Sequence, residues 1–215
     1  MIAPSSPMTP TPKQPYPRKS HARSSNYGAK QNQKLGNIRI ISGKHRGRKL
    51  PVILSDGLRP TTDRTKETLF NWLMHDIQDA KVLDMFAGAG SLGFEALSRH
   101  AAYVTMIEKD PKVAKQLQSN LVLLQEQQRG NVICGDALTA LGEQTHHFDI
   151  IFIDPPFGQH LVTQAINVLI QTRAVKPNTL IYLEHESSSI LEIDKLTKLK
   201  HKQSGQVNYS LYRFE

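Results

Sequence analysis

The chain has 215 residues, 39% of them hydrophobic and 21% charged, with a formal net charge of +8, which is material for one domain with a substantial core and too little for two large ones. Its single cysteine, Cys134, excludes a disulfide framework and a cysteine-based zinc site, suits a reducing compartment, and inside the apolar run NVICG reads as a buried structural thiol. The nine histidines form no HExxH or comparable ligand pair, so no metal is expected.

Half of the twelve prolines fall in the first 17 residues, and no helical or alternating periodicity appears before Gly36. Residues 1 to 36 therefore read as a disordered, proline-rich basic tail. It has neither the apolar stretch of a secretory signal nor, given its prolines, the makings of an amphipathic transit helix. No run is long enough to span a membrane, and a cytoplasmic protein is expected.

Residues 37 to 60 follow as a basic β-hairpin: IRIIS, a turn at GKHRG, then RKLPVIL. It bears Arg39, Lys44, His45, Arg46, Arg48 and Lys49. Residues 1 to 66 hold 14 Lys or Arg against 2 acids, and residues 67 to 215 hold 13 against 17. Such a basic block attracts a polyanion through phosphate contacts and counterion release.

From residue 61 to 215 the pattern is that of one α/β domain. RTKETLFNWLMHDI spaces Leu69, Phe70, Leu73, Met74 and Ile77 as one face of a helix, with Thr62 or Asp63 as its cap. Five apolar strands follow, VLDMFA, YVTMIEK, NVICG, FDIIFID and TLIYLEHE. Between them lie helices at SLGFEALSR, at PKVAKQLQSNLVLLQE capped by Asp110, and at HLVTQAINVLIQ. Alternation of this kind predicts a mostly parallel sheet covered on both faces. LTKLKHKQSGQVNYSLYRFE reads as two strands joined at Ser-Gly, closing the sheet with an antiparallel edge.

The first strand of the domain runs into DMFAGAGSLG, where Gly88, Gly90 and Gly93 match G-x-G-x-x-G, and Glu108 ends the second strand twenty residues beyond Gly88. Glycines let backbone approach a nucleotide, and the acid can accept from ribose hydroxyls. This fits NAD and S-adenosylmethionine equally. The remainder of the chain is too short for the separate substrate domain of a dehydrogenase. Asp84 adds a carboxylate where the amino end of a methionine moiety would lie, and Asp136 ends the third strand where it could accept from an adenine amine.

The fourth strand stops at Asp154-Pro155-Pro156-Phe157. Two prolines can neither continue a ladder nor enter a helix, and in such a sheet this stop opens onto the cofactor crevice. A nucleobase amine is a poor nucleophile because its lone pair is delocalised. Accepting its two N–H groups at the Asp154 carboxylate and the Pro155 carbonyl would turn the lone pair toward a methyl donor. Phe157 offers a face on which the base can stack, worth about 1–3 kcal/mol.

RIISGKHRGRKLPV, LRPTTDRTKETLFNWL, LDMFAGAGSLGFEALSR and FIDPPF together resemble the RsmD family, which methylates guanine N2 in bacterial 16S ribosomal RNA. The resemblance spans about residues 38 to 215. It implies a Rossmann-like methyltransferase fold with a seven-stranded, mostly parallel sheet, an antiparallel C-terminal strand and an N-terminal hairpin. It also implies S-adenosylmethionine as donor and a small ribosomal subunit or its assembly intermediate as substrate, with a monomer expected. By position, Asp84, Phe86, Ala87, Gly88, Gly90, Gly93, Glu108, Asp136 and Ala137 would border the cofactor and Asp154 to Phe157 the target base. Arg59 and Arg64, in the family-specific segment, would flank the cleft and either bind RNA or order the cofactor. Competing readings are methylation of another amine, adenine N6 in DNA or a protein glutamine, an NAD oxidoreductase, and a non-catalytic RNA-binding factor.

Overall fold

A computed structural model describes residues 34–54, 61–142, 147–156, 161–186, 195–205 and 207–215. Most of the stretch read as a tail, and Arg59 and Phe157 among the expected site residues, lie outside these. The N-terminal hairpin pairs β1 (Lys34–Arg39) with β2 (Lys49–Leu54) in antiparallel register. β1 thus begins inside the segment read as tail. Helix α1 (Asp63–Trp72) is capped by Thr62, whose hydroxyl accepts from the Thr65 N–H at 3.2 Å. It is shorter than its periodicity suggests. Leu73 and Ile77 are buried as expected, but from a hydrogen-bonded turn after the helix, and that turn leaves Met74, expected on the same face, exposed.

The domain then alternates β3 (Lys81–Asp84), α2 (Ser91–Ser98), β4 (Tyr103–Glu108), α3 (Pro111–Leu124), β5 (Gly130–Cys134), β6 (Ile150–Ile153), α4 (Leu161–Gln171) and β7 (Leu180–Glu186). It ends in a hairpin of β8 (Leu196–Ser204) and β9 (Val207–Phe214). α3 starts as read, with Asp110 accepting from the Lys112 N–H at 2.8 Å and Pro111 in its first turn.

The seven strands run in the order β5-β4-β3-β6-β7-β9-β8, parallel from β5 to β7. β9 is antiparallel to β7, and β8 lies outside it. The last strand of the chain is therefore inserted, and the edge belongs to β8. All four residues of β6 are buried, as a central parallel strand covered on both faces requires. Ile151 and Ile153 join one core layer with Leu83, Ile166 and Leu183. Ile150 and Phe152 join the other with Phe70, Leu97, Leu121 and Tyr182.

α1 is anchored there by edge-to-face rings: Phe70 meets Phe152 at 5.9 Å between centroids, and Phe152 meets Tyr182 at 6.3 Å. Such pairs add about 0.5–1.5 kcal/mol beyond the area they bury. The expected buried thiol is a correction: Cys134 is exposed, because it ends β5, which has a neighbour on one side only. Among the described residues no helix is long and apolar enough to cross a membrane.

Candidate active site

At the carboxyl edge of the sheet the β3–α2 loop is stitched between its neighbours. The Met85 N–H donates to the Phe152 carbonyl of β6 at 3.0 Å and the Ala87 N–H to the Ile107 carbonyl of β4 at 2.9 Å. Gly90 caps α2 with φ at 76°, and a Cβ there would stand 2.5 Å from the Phe94 ring. Gly93 lies inside α2, where a Cβ would stand 2.7 Å from the Met106 sulfur, so its small size sets how closely α2 approaches β4.

Of the expected cofactor carboxylates, Glu108 bonds to this loop, Asp84 to the helix that follows it, and Asp136 to its own turn after β5 and to Lys109. Glu108 accepts from the Gly88 N–H at 2.9 Å and the Asp110 N–H at 2.7 Å. Asp136 accepts from the Leu138 N–H at 2.9 Å and pairs with Lys109 at 3.1 Å, contacts that hold its carboxyl below the usual range. Asp84, 3% exposed, accepts from the Gly93 N–H at 3.0 Å. Burial, only partly offset by that bond and reinforced by the charges of Asp154 and Glu108, pushes it up to about 7. Phe86 is half-buried, and Ala87 and Ala137 are buried.

The Ser91 hydroxyl, at the start of α2, is buried without a hydrogen-bond partner among the described residues. A helix N-terminus carries partial positive charge, so loop and carboxylates present donors and acceptors along the carboxyl edge of the sheet. That donor set fits an adenosyl group with an amino-acid tail.

β6 ends at Ile153 and the chain passes into Asp154, half-buried, Pro155, buried, and Pro156, exposed. The Thr61 hydroxyl, just ahead of α1, donates to the Asp154 carboxylate. Burial pushes Asp154 up to about 6, against the opposing effect of Thr61. Ile153 pairs with Leu183, so Asp154 and Glu184 follow one step beyond on adjacent strands. Glu184 is 7% exposed and accepts from the Tyr182 hydroxyl at 2.8 Å. Burial and then the Asp154 charge push it up to about 8.

Sequence reasoning missed Thr61, Ser91, Tyr182 and Glu184. Glu184 alone had left a signal, as an acid inside the apolar run TLIYLEHE. Among the described residues no group of three or more His, Cys, Asp or Glu could hold a metal ion.

A protein-family profile described as "conserved hypothetical protein 95" matches residues 38–213. The ribosomal RNA small subunit methyltransferase D of Haemophilus influenzae is 50% identical over 182 residues, covering 83% of this chain and 94% of that one. The chain belongs to this methyltransferase D family. The Escherichia coli member is 47% identical, with 84% and 91% covered. A solved Escherichia coli structure described as a methyltransferase superposes with a TM-score of 0.78 at 46% identity, covering 84% and 99%. A Salinibacter ruber RNA methyltransferase solved with S-adenosyl-L-homocysteine, 13% identical, shares the fold at a TM-score of 0.58 over 73% of this chain and 94% of that one.

In this family member the basic hairpin is fixed to the domain. Glu95 of α2, fully buried, accepts from the Ile41 and Ser42 N–H groups at 2.9 and 3.0 Å and pairs with Arg99. The Lys44 N–H donates to the Ser98 carbonyl at 2.8 Å. Gly43, with φ at 77°, packs so closely that a Cβ would stand 1.9 Å from that carbonyl oxygen. His45 and Lys44 reach buried Glu126 at 2.7 and 3.0 Å. Buried Lys66 of α1 donates to the Arg39 carbonyl at 2.5 Å. Arg39, Arg46, Arg48 and Lys49 are exposed, as is Arg64 in the first turn of α1. Lys44 is exposed too, with its ammonium shared with Glu126.

Proposed function

We propose that the chain transfers a methyl group from S-adenosylmethionine to the N2 amine of a guanine in 16S ribosomal RNA, on the small ribosomal subunit or its assembly intermediate. The observation that carries this is Asp154: an acceptor at the end of β6, one strand from the glycine loop, oriented by Thr61. Membership of the methyltransferase D family supports both the donor and the RNA class.

The cofactor's sulfonium supplies an electrophilic methyl group and a good leaving group. Each oxygen of Glu108 has a second lone pair beyond the N–H it already accepts, enough for ribose hydroxyls. Asp136, held ionised, accepts from the adenine amine. Asp84, balanced near neutrality, ionises as it pairs with the ammonium end, and the Ser91 hydroxyl is the buried donor available to the carboxylate end. Asp154 and the Pro155 carbonyl accept the two N–H groups of the target amine, an electrostatic arrangement formed before the reaction, and once the nitrogen has taken the methyl group its surplus proton passes to Asp154 or to water. Phe157 stacks on the base.

Guanine N2 over adenine N6 follows the family, because both amines satisfy this local chemistry. The exposed cations of the hairpin, with Arg59 and Arg64, hold the RNA while one base is splayed into the cleft. A monomer acting in the cytoplasm, where a ribosomal substrate is met, is part of this proposal.

Calorimetry with S-adenosylmethionine and with NAD, followed by labelled methyl transfer to unmodified small subunits, naked 16S RNA, DNA and protein, tests the reading. Binding of the former only and label in small-subunit RNA are expected. NAD binding, or label confined to DNA or protein, contradicts it.

A further inference from the structure

Charge is segregated within the catalytic body. From Glu67 to Asp194 the sequence has 8 Lys or Arg against 16 acids, whereas Lys195 to Glu215 has 5 against 1. The reversal coincides with the hairpin β8–β9. Its outer strand carries Lys198, Lys200 and Lys202, with Lys195 just ahead of it. Among the described residues none of these four pairs with a carboxylate.

Register places two of them relative to the site. Glu184 lies opposite Tyr209, and Tyr209 opposite Lys202. Glu184, Tyr209 and Lys202 thus form a transverse row on one face of β7, β9 and β8, and Asp154, just past the Ile153–Leu183 pair at the end of β6, stands close enough for its charge to act on Glu184. Lys200 lies opposite Leu211, which belongs to the same core layer as Phe152 and Tyr182. Lys198 lies on the reverse face, opposite Tyr212 and with its ammonium 5.6 Å from that ring. The Lys202 ammonium donates to Thr68 of α1 at 3.1 Å, the helix whose lead-in residue Thr61 holds Asp154.

We propose that Lys200 and Lys202 bind phosphates of the RNA strand that flanks the target base. The substrate is then gripped on both sides of the cleft: by the N-terminal hairpin, docked on α2 and α3, and by the C-terminal hairpin beyond β7. An ammonium is a compact point charge suited to backbone phosphate. Tyr209, half-buried between Glu184 and Lys202, lines the path between base and phosphates. Lysines on an edge strand also discourage strand-to-strand association, but that role is indifferent to face, whereas phosphate contact requires the face of Glu184. The inference rests on RNA being the substrate.

The test is a salt titration of binding to unmodified small subunits and to naked 16S RNA by the full chain, by K200Q/K202Q and by K195Q/K198Q, with affinity for S-adenosylmethionine measured alongside. The first pair should weaken binding and flatten the log–log salt dependence by roughly 1.4, two phosphates at about 0.7 each for single strands. The second pair, an equal loss of charge with Lys198 on the reverse face and Lys195 at the far end of β8 from Lys202, should leave the slope in place, and cofactor affinity should stay constant. Because Lys202 also braces α1, K200Q alone should give about half the change in slope and K202R none. Equal effects from both pairs, or an unchanged slope in K200Q/K202Q with or without new self-association, overturn the assignment. If the unaltered chain binds S-adenosylmethionine but no RNA, the proposed substrate falls and this surface with it.

Discussion

The Thr61 hydroxyl donates to the Asp154 carboxylate, joining the segment ahead of α1 to the acid at the end of β6. The bond favours the ionised form that accepts amine hydrogens, while burial opposes it and leaves Asp154 at about 6. The single-turnover rate should therefore rise with pH through about 6 and level off above 7. Thr61→Val removes a contact that lowers the acid, so the limb should move to higher pH, with transfer at pH 6 slower by roughly threefold. An unmoved limb in Thr61→Val would separate the hydroxyl from the acid.

Asp84, Asp154 and Glu184, pushed up to about 7, 6 and 8, chiefly by burial, give stability a definite pH dependence. Each lies above its unfolded-chain value of about 4. Their contribution is complete below that value and is lost as pH rises through 6 to 8. Glu126, Asp136 and Asp149 are held low, so their contribution is already constant above about pH 5. The Tm of the cofactor-free protein should fall between pH 5.5 and 8.5, and Glu184→Gln should flatten the decline. A Tm that rises across this window would contradict the assignment.

Gly43 is a sharper probe of the hairpin than any of its charges. Gly43→Ala adds a Cβ against the Ser98 carbonyl at positive φ, a strain of about 1–3 kcal/mol. The variant should melt several degrees lower and bind RNA more weakly, with cofactor affinity retained. Differential scanning calorimetry and filter binding measure both.

Neutralising Arg46, Arg48 and Lys49 together removes three exposed cations. RNA affinity should fall, with a shallower salt dependence, while affinity for S-adenosylmethionine is unchanged. An RNA affinity equal to that of the parent across the titration would remove the hairpin from the interface.

The parallel strands were legible because a strand buried on both faces must be a continuous apolar run, as IIFI in β6 is. The glycine loop and the acids at the strand ends were legible in position, because each interrupts an apolar run where a strand stops. The insertion of β9 between β7 and β8 was not, because pairing order at a sheet edge leaves no local trace. Nor did the end of α1 show, as Leu73 and Ile77 keep helical spacing while the backbone turns away. Thr61 and Asp154 are far apart in the chain, and no local rule joins a hydroxyl to a distant acid. Tyr182 and Glu184, two apart on one strand, share a face by simple alternation.

The most direct measurement is single-turnover transfer from labelled S-adenosylmethionine to unmodified small subunits by the parent protein and Asp154→Ala, with nucleoside digestion of the RNA and cofactor affinity measured on both. The parent should yield N2-methylguanosine, and Asp154→Ala should bind cofactor normally yet transfer at least about a hundredfold more slowly. A variant that transfers at the parent's rate, or label on any atom other than an exocyclic amine, would contradict the account.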